Sequence, residues 1–190
     1  MNSTVLVTAA GGTVGRHLVP QLHDRGTKVR MHDRSRPIAP QLSGVDAVFL
    51  ACPNVPEQVA YECAIVDAAA AAGIGRIVKL SARGARRGSR VAFWDWHAGI
   101  EQHLAALGVP AVVLRPGFSM ANLLGNLDTV RDHGVLPVPA GDARVAMIDP
   151  VDVAACATAA LLDDVPSGCY EPTGSAAISS AEVAAALTAA

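Results

Sequence analysis

Val5-Leu-Val-Thr-Ala-Ala-Gly-Gly-Thr-Val-Gly15-Arg-His-Leu-Val19 decides how this chain is read. A short apolar run passes through a glycine-rich turn into the first turns of an amphipathic helix, which is the context a dinucleotide-binding fingerprint requires. Thr8, Ala10, Gly11, Gly12, Thr13, Val14 and Gly15 form the turn. Gly12 would let backbone approach a pyrophosphate, and Gly15 would let the helix pack closely on the strand. The helix N-terminus would point free N–H groups at the phosphates. Ala9 stands where the first glycine of such a turn is expected; if that residue takes positive φ, its methyl group costs roughly 1 kcal/mol. A turn that merely joins strand to helix is the other reading.

Outward from this stretch, apolar strand-like runs alternate with helical ones. Thr4 to Thr8 reads as a strand, and Val14, Leu18 and Leu22 mark one face of a helix that stops at Gly26. Lys28 to His32 and Ala47 to Ala51 are the next strands. Val59, Cys63, Val66 and Ala70 predict the buried face of the following helix. Ile77 to Leu80 and Ala111 to Leu114 are further strands, with a helix carrying Trp96, Ile100, Leu104 and Leu107 between them. Met120 to Val130 and Asp152 to Leu162 read as helices and Val145 to Ile148 as a strand. Ser179-Ser-Ala-Glu182 has the form of a capping box. This rhythm predicts an α/β fold, a Rossmann-like doubly wound parallel sheet with right-handed crossovers. Ligands on such sheets bind beyond the carboxyl ends of the strands.

The bulk composition narrows the function classes. At 190 residues and 51% hydrophobic, the chain is expected to form a single domain, residues 1–190, with 116–190 contributing a small substrate-binding lobe. A net charge of −2 offers no general pull toward nucleic acid or an anionic membrane. No apolar run is long enough to span a bilayer, and no signal peptide is expected. Cys52, Cys63, Cys156 and Cys169 lack C-x-x-C spacing and read as buried free thiols in a reducing cytoplasm. The histidines show no metal-ligand spacing.

Several segments together resemble the NmrA-like, atypical short-chain dehydrogenase/reductase family. They are Val5 to Gly15, Gly44-Val-Asp-Ala-Val-Phe-Leu50, Val78-Lys-Leu-Ser-Ala82, Leu114-Arg-Pro-Gly117, Asn122, Asp149-Pro-Val-Asp-Val-Ala154 and Tyr170-Glu-Pro-Thr-Gly174. The resemblance covers nearly the whole chain and implies a Rossmann-type fold that binds NADP(H) or NAD(H). Some members of the family reduce quinones, ketones or imines; others only sense the nucleotide. Three departures stand out: Ala9 itself, the short span from Asp33 to Ser43, and the small amount of chain after Glu182. They predict a missing edge strand, a reduced C-terminal lobe and a more open substrate site, completed by a second subunit.

By this resemblance the tyrosine and lysine positions of the better-known short-chain dehydrogenases fall on Phe93 and His97, and phenylalanine cannot transfer a proton. His97 is then either a general acid or ribose ligand, or a partly exposed helix histidine paired with Glu101. Ser81 stands where related enzymes polarise the substrate carbonyl; capping the strand turn is its alternative. Lys79 is a secondary candidate, expected to reach solvent. Arg34 fits the family's arginine position for the 2′-phosphate of NADP, whereas Asp33 would favour NAD. Ala51, Pro53 and Asn54 follow the third strand and flank the nicotinamide side. Phe118 and Asn122 border the substrate, and Trp94 lines a substrate pocket or a subunit contact. Arg83 to Arg90, with four arginines and two glycines, is either a mobile lid or a solvated loop.

The resulting expectation is a cytoplasmic NADP(H)-dependent reductase, with NAD(H) the alternative coenzyme. It would reduce a small carbonyl, enone or quinone, with His97 and Ser81 as catalytic residues and a homodimer as its assembly. A nucleotide sensor without turnover, and a non-redox isomerase or cyclase using His97 and Asp95, remain the other readings.

Overall fold

The computed structural model describes residues 3–138 and 143–189. Its centre is a six-stranded parallel sheet in the order β2-β1-β3-β4-β5-β7. The strands are β1 (Thr4–Val7), β2 (Lys28–Met31), β3 (Ala47–Leu50), β4 (Arg76–Leu80), β5 (Ala111–Leu114) and β7 (Gly168–Tyr170). The helices α1 (Gly15–Asp24), α3 (Gln58–Ala71), α4 (Ala92–Ala106) and α6 (Pro150–Leu162) cover its two faces. The remaining elements are α2 (Ile38–Gln41), a 3₁₀ segment at Met120–Asn126, α5 (Leu127–His133) and α7 (Ser180–Ala189), with β6 (Arg144–Val145) and β8 (Ile178–Ser179) pairing antiparallel.

Alternation along the strands sorts the core into two layers. Val5, Val7, Phe49, Val78, Val112 and Leu114 pack with Leu18 and Leu22 of α1 and with Ala154, Ala157 and Leu161 of α6. Leu6, Val48, Leu50 and Ile77 point the other way, against Ile65, Val66 and Ala69 of α3 and Leu104 of α4. Because both faces are covered, β3 is buried at every position and reads as a continuous apolar run. Chain direction reverses across the sheet between β1 and β3, so the crevice at their carboxyl ends is the expected ligand site.

Among the described residues no strand pairs with the outer edge of β2. The short span from Asp33 to Ser43 is closed instead by α2. Arg30 Nη1 donates to the carbonyls of Gln41 at 2.6 Å and Ser43 at 2.7 Å. Gln41 Nε2 donates to the carbonyls of Asp33, Arg36 and Pro37.

Several sequence expectations are corrected. The buried face of α3 is Gln58, Glu62, Ile65, Val66 and Ala69, one residue offset from the Val59/Cys63/Ala70 stripe. Trp96 is only half-buried, and Leu107 is exposed where α4 ends. The strand read at Val145 to Ile148 is Arg144–Val145, and Ile148 instead bridges to Ser119. β7 and α2 carry too few residues to show a periodicity. The cysteines are free, but three are half-buried and Cys169 is exposed. The capping box forms: Ser179 N–H donates to Glu182 Oε2 at 2.7 Å, and Glu182 N–H to Ser179 Oγ at 3.2 Å. No helix among the described residues is long and apolar enough to cross a membrane.

Candidate active site

The loop after β1 turns sharply at Ala9. Ala9 adopts φ 49°, the only non-glycine residue among those described with positive φ. This bend brings the Ala9 carbonyl back to accept from Gly12 N–H at 2.8 Å. A Cβ on Gly15 would lie 2.3 Å from the Ala9 oxygen and 2.7 Å from that of Ala10, so only glycine fits. The amides of Gly11, Thr13 and Val14 donate to no group among the described residues. Gly11 has nothing near its missing side chain and faces open space. Free amides at a helix N-terminus beside an open glycine suit a diphosphate. Thr8 and Ala51, read from sequence as cofactor contacts, serve the scaffold instead. Thr8 Oγ1 has one proton within reach of the Ala51 carbonyl at 2.8 Å and the Phe49 carbonyl at 3.1 Å, and accepts from Ala51 N–H, stitching β1 to β3 beneath the crevice.

After β2, the Arg34 guanidinium lies 4.3 Å from the Tyr61 ring centroid, and its Nη2 is 3.2 Å from Cys52 Sγ. Tyr61 Oη also meets His32 Nδ1 at 2.9 Å. Arg34 is thus held as an exposed cation at the crevice mouth. Asp33 is engaged elsewhere, its Oδ1 accepting from Ser35 N–H and Oγ. Those bonds draw the Asp33 carboxyl below its usual pKa.

Beyond the loops after β3, β4 and β5 lies a cleft of about 560 Å³. Ser81, Trp94, Phe118 and Asn122 all line it, together with Asn54 and Phe93. Trp94 sits against Gly84, where a Cβ would come within 2.9 Å of the indole, and meets the Phe93 ring edge-on. A depression of about 600 Å³ beside Thr4 and Lys28 lies at the amino ends of the strands, the wrong end for this fold.

Behind the cleft is a buried polar cluster that pattern reading did not find. Lys79, expected at the surface, is fully buried on the α3/α4 side of β4. Its Nζ lies 2.7 Å from Glu62 Oε2 and 3.1 Å from His97 Nδ1, and it also donates to the Leu80 carbonyl. Gln58 Nε2 lies 3.3 Å from both Glu62 Oε1 and His97 Nδ1, while Gln58 Oε1 has no partner among the described residues. His97 Nε2 is 3.2 Å from Asn54 Oδ1. Burial, with the Lys79 charge second, lowers the His97 pKa to about 3. Burial raises that of Glu62 against the opposing pull of Lys79. A signal existed: Lys79 stands between Val78 and Leu80 inside a strand, and a buried lysine needs buried polar partners.

The expected His97–Glu101 pair does not form. Glu101 accepts instead from Ser81 Oγ and from Arg115, whose Nε lies 3.1 Å away. The Ser81 proton therefore points away from the cleft. Asp95, offered as an acid–base group, is taken by Arg87 at 2.9 Å and by Gly88 N–H at 2.7 Å. The same contacts pin the Arg83–Arg90 loop, which Arg83 joins to Glu171 at 3.4 Å.

The crossover order, the glycine turn and the adjoining cleft define a Rossmann-type fold. The NmrA-like family model matches residues 35–189, and the chain belongs to that family. It is 36% identical to the NAD(P)H azoreductase of Xenophilus azovorans over 173 residues, covering 90% of this chain and 60% of that protein. It is also 36% identical, over 207 residues, to the (4-alkanoyl-5-oxo-2,5-dihydrofuran-3-yl)methyl phosphate reductase of Streptomyces griseus, covering 97% and 72%. The NADPH-dependent quinone oxidoreductase of Escherichia coli, solved with NADPH, superposes with a TM-score of 0.82 at 25% identity, covering 97% of this chain and 74% of that one. The chain thus spans 60% of the length of the azoreductase it matches.

Proposed function

We propose that this chain binds NADP(H) and reduces a small, flat, conjugated acceptor of the quinone or enone type by hydride transfer. The observation that carries the reading is the pairing of the unpartnered amides at Gly11, Thr13 and Val14 with a cleft walled by Phe93, Trp94 and Phe118. Arg34, held over Tyr61, would meet the 2′-phosphate, and its cation over the ring supports that role. Bound in this crevice, the reduced coenzyme would supply the hydride. The protein then has to bind the coenzyme, stack the acceptor beside it and keep water away. A quinone-like acceptor suits these residues, because Phe93 offers no proton.

The named relatives, a quinone oxidoreductase and an azoreductase among them, support this reading. The nucleotide-sensor reading draws on the same Phe93 and on the Ser81 hydroxyl turned toward Glu101. The isomerase reading loses its acid–base pair, since Asp95 is engaged and neutral His97 is buried. An unpaired β2 edge with Met31 at 66% exposure supports a homodimer, and the free thiols suit a reducing cytoplasm.

Titration with NADPH and NADH, followed by cofactor fluorescence, and turnover with a quinone panel test the proposal. Wild-type protein should bind NADPH and oxidise it. Arg34→Ala should raise the NADPH Kd by about tenfold, roughly 1.4 kcal/mol, while leaving NADH nearly unchanged. Tight binding without turnover across the panel would select the sensor. Silence with both coenzymes would end the redox reading.

A further inference from the structure

Two groups that could polarise an acceptor on this cleft are out of use. Phe93 has no proton to give, and the Ser81 hydroxyl is donated to Glu101. Asn54, just past the end of β3, is exposed and lines the same cleft. We propose that Asn54 is a catalytic residue whose side-chain N–H groups face the acceptor oxygen of the substrate, and that Lys79 and His97 are positioning residues that fix this orientation. This rests on the reductase reading above.

The direction of each donor fixes the chain. A lysine ammonium has three N–H groups and no acceptor. Those of Lys79 reach the Leu80 carbonyl and His97 Nδ1, while its charge faces Glu62 Oε2 at 2.7 Å. Gln58 Nε2 brings a further donor to that same ring nitrogen. Nδ1 therefore accepts, and a neutral imidazole that accepts at Nδ1 carries its proton on Nε2. Nε2–H then donates across 3.2 Å to Asn54 Oδ1. With its oxygen held inward, Asn54 keeps both Nδ2 protons for the cleft. The low pKa of His97 keeps the ring neutral at physiological pH, so this polarity does not reverse.

An amide donor is what the reaction class needs at that place. When hydride adds to a conjugated carbonyl or quinone, a C–H bond forms and the π pair moves onto oxygen, which water afterwards protonates. The two electrons and the hydrogen come from the reduced nicotinamide coenzyme. A pre-oriented N–H group aimed at that oxygen binds the developing charge more strongly than the ground state, and so lowers the barrier. Lys79 and Glu62 touch neither reactant. Their pairing stiffens the far end of the relay without exposing a charge to the acceptor.

The test uses the full chain in two measurements. In single-turnover oxidation of NADPH by a quinone, Asn54→Ala should slow hydride transfer by about 100-fold while leaving the NADPH Kd within about twofold. His97→Gln can accept from Lys79 through its oxygen and donate to Asn54 through its nitrogen, so it should keep most of the rate. His97→Phe should lose about as much as Asn54→Ala and add little in the Asn54→Ala background. An unchanged rate in Asn54→Ala, with the wild type turning over, overturns the inference and leaves the reductase reading intact. Additive losses overturn the positioning role. In the ligand-free protein, ¹⁵N–¹H spectra of His97 near neutral pH should show the Nε2–H tautomer; an Nδ1–H tautomer or an imidazolium overturns the relay whatever the turnover. Wild-type protein that binds NADPH but reduces no acceptor overturns the reductase reading and the Asn54 contact together.

Discussion

Under α1 and α6 the sheet meets its helices through Val5, Val7, Phe49, Val78, Leu18, Leu22 and small alanines, with no buried charge among the described residues. Under α3 and α4 the same strands begin with Leu6, Val48 and Ile77 and then, at the end nearest the cleft, present Lys79 to Glu62 and His97. The first layer is held by area removed from water. The second gives up some of that area to bury a charge pair whose desolvation offsets much of its Coulombic gain. Such a cluster is a poor way to add stability. Its position directly behind Asn54 fits a role in orientation.

The largest effect that would test this contrast is Lys79→Met. It leaves Glu62 buried without its cation and should destabilise the fold by about 4 kcal/mol near neutral pH in urea denaturation. The sign of its pH dependence is fixed by Glu62. The folded-state pKa already lies above 4.5, and without Lys79 it rises further. The folded chain then keeps a proton that the unfolded chain releases, so the variant should be most stable at acid pH and lose stability as pH rises above 4.5.

Leu18→Ala on the opposite layer should cost about 3 kcal/mol through lost transfer energy and a cavity. That loss should not change with pH, and a pH-dependent loss would break the contrast. The third measurement concerns His97, whose folded pKa of about 3 lies below the unfolded 6.5. Its contribution is complete above pH 6.5 and is lost as pH falls toward 3, at about 1.4 kcal/mol per pH unit. His97→Gln should remove that slope from the wild-type stability curve.

Ala9→Gly gives the smallest effect. Ala9 borders the apolar layer and holds φ 49°, so relieving its methyl group should add about 1 kcal/mol and raise Tm by about 3 °C. A fall in Tm would show that the bend is held without strain.

Much of this organisation was legible in the chain itself. The glycine turn and the strand-like runs locate β1 to β5 within about a residue, most plainly at β3, which is buried at every position and leaves an unbroken hydrophobic signature. The Asp33–Ser43 gap is too short for another helix and strand, and α2 fills it. Ser81 after β4, Trp94 at the start of α4, and Phe118 and Asn122 beyond β5 come together to line one cleft past the carboxyl ends of the strands. Other features were illegible. β7 has three exposed residues and no alternation to betray it. The α3 stripe misleads because Val59 and Cys63 look more buriable than Gln58 and Glu62, and only Lys79 across the layer reverses that preference. Thr8 reads as part of the cofactor turn, but β3 takes up its hydroxyl.

The sequence by itself determined the layered α/β plan and the place of the glycine turn. Those follow from backbone geometry and residue chemistry that act locally. Tertiary structure alone decided the partners of Ser81, Glu101, Lys79 and His97. A buried polar side chain must find a complementary group, and which groups are within reach depends on how distant helices pack onto the sheet.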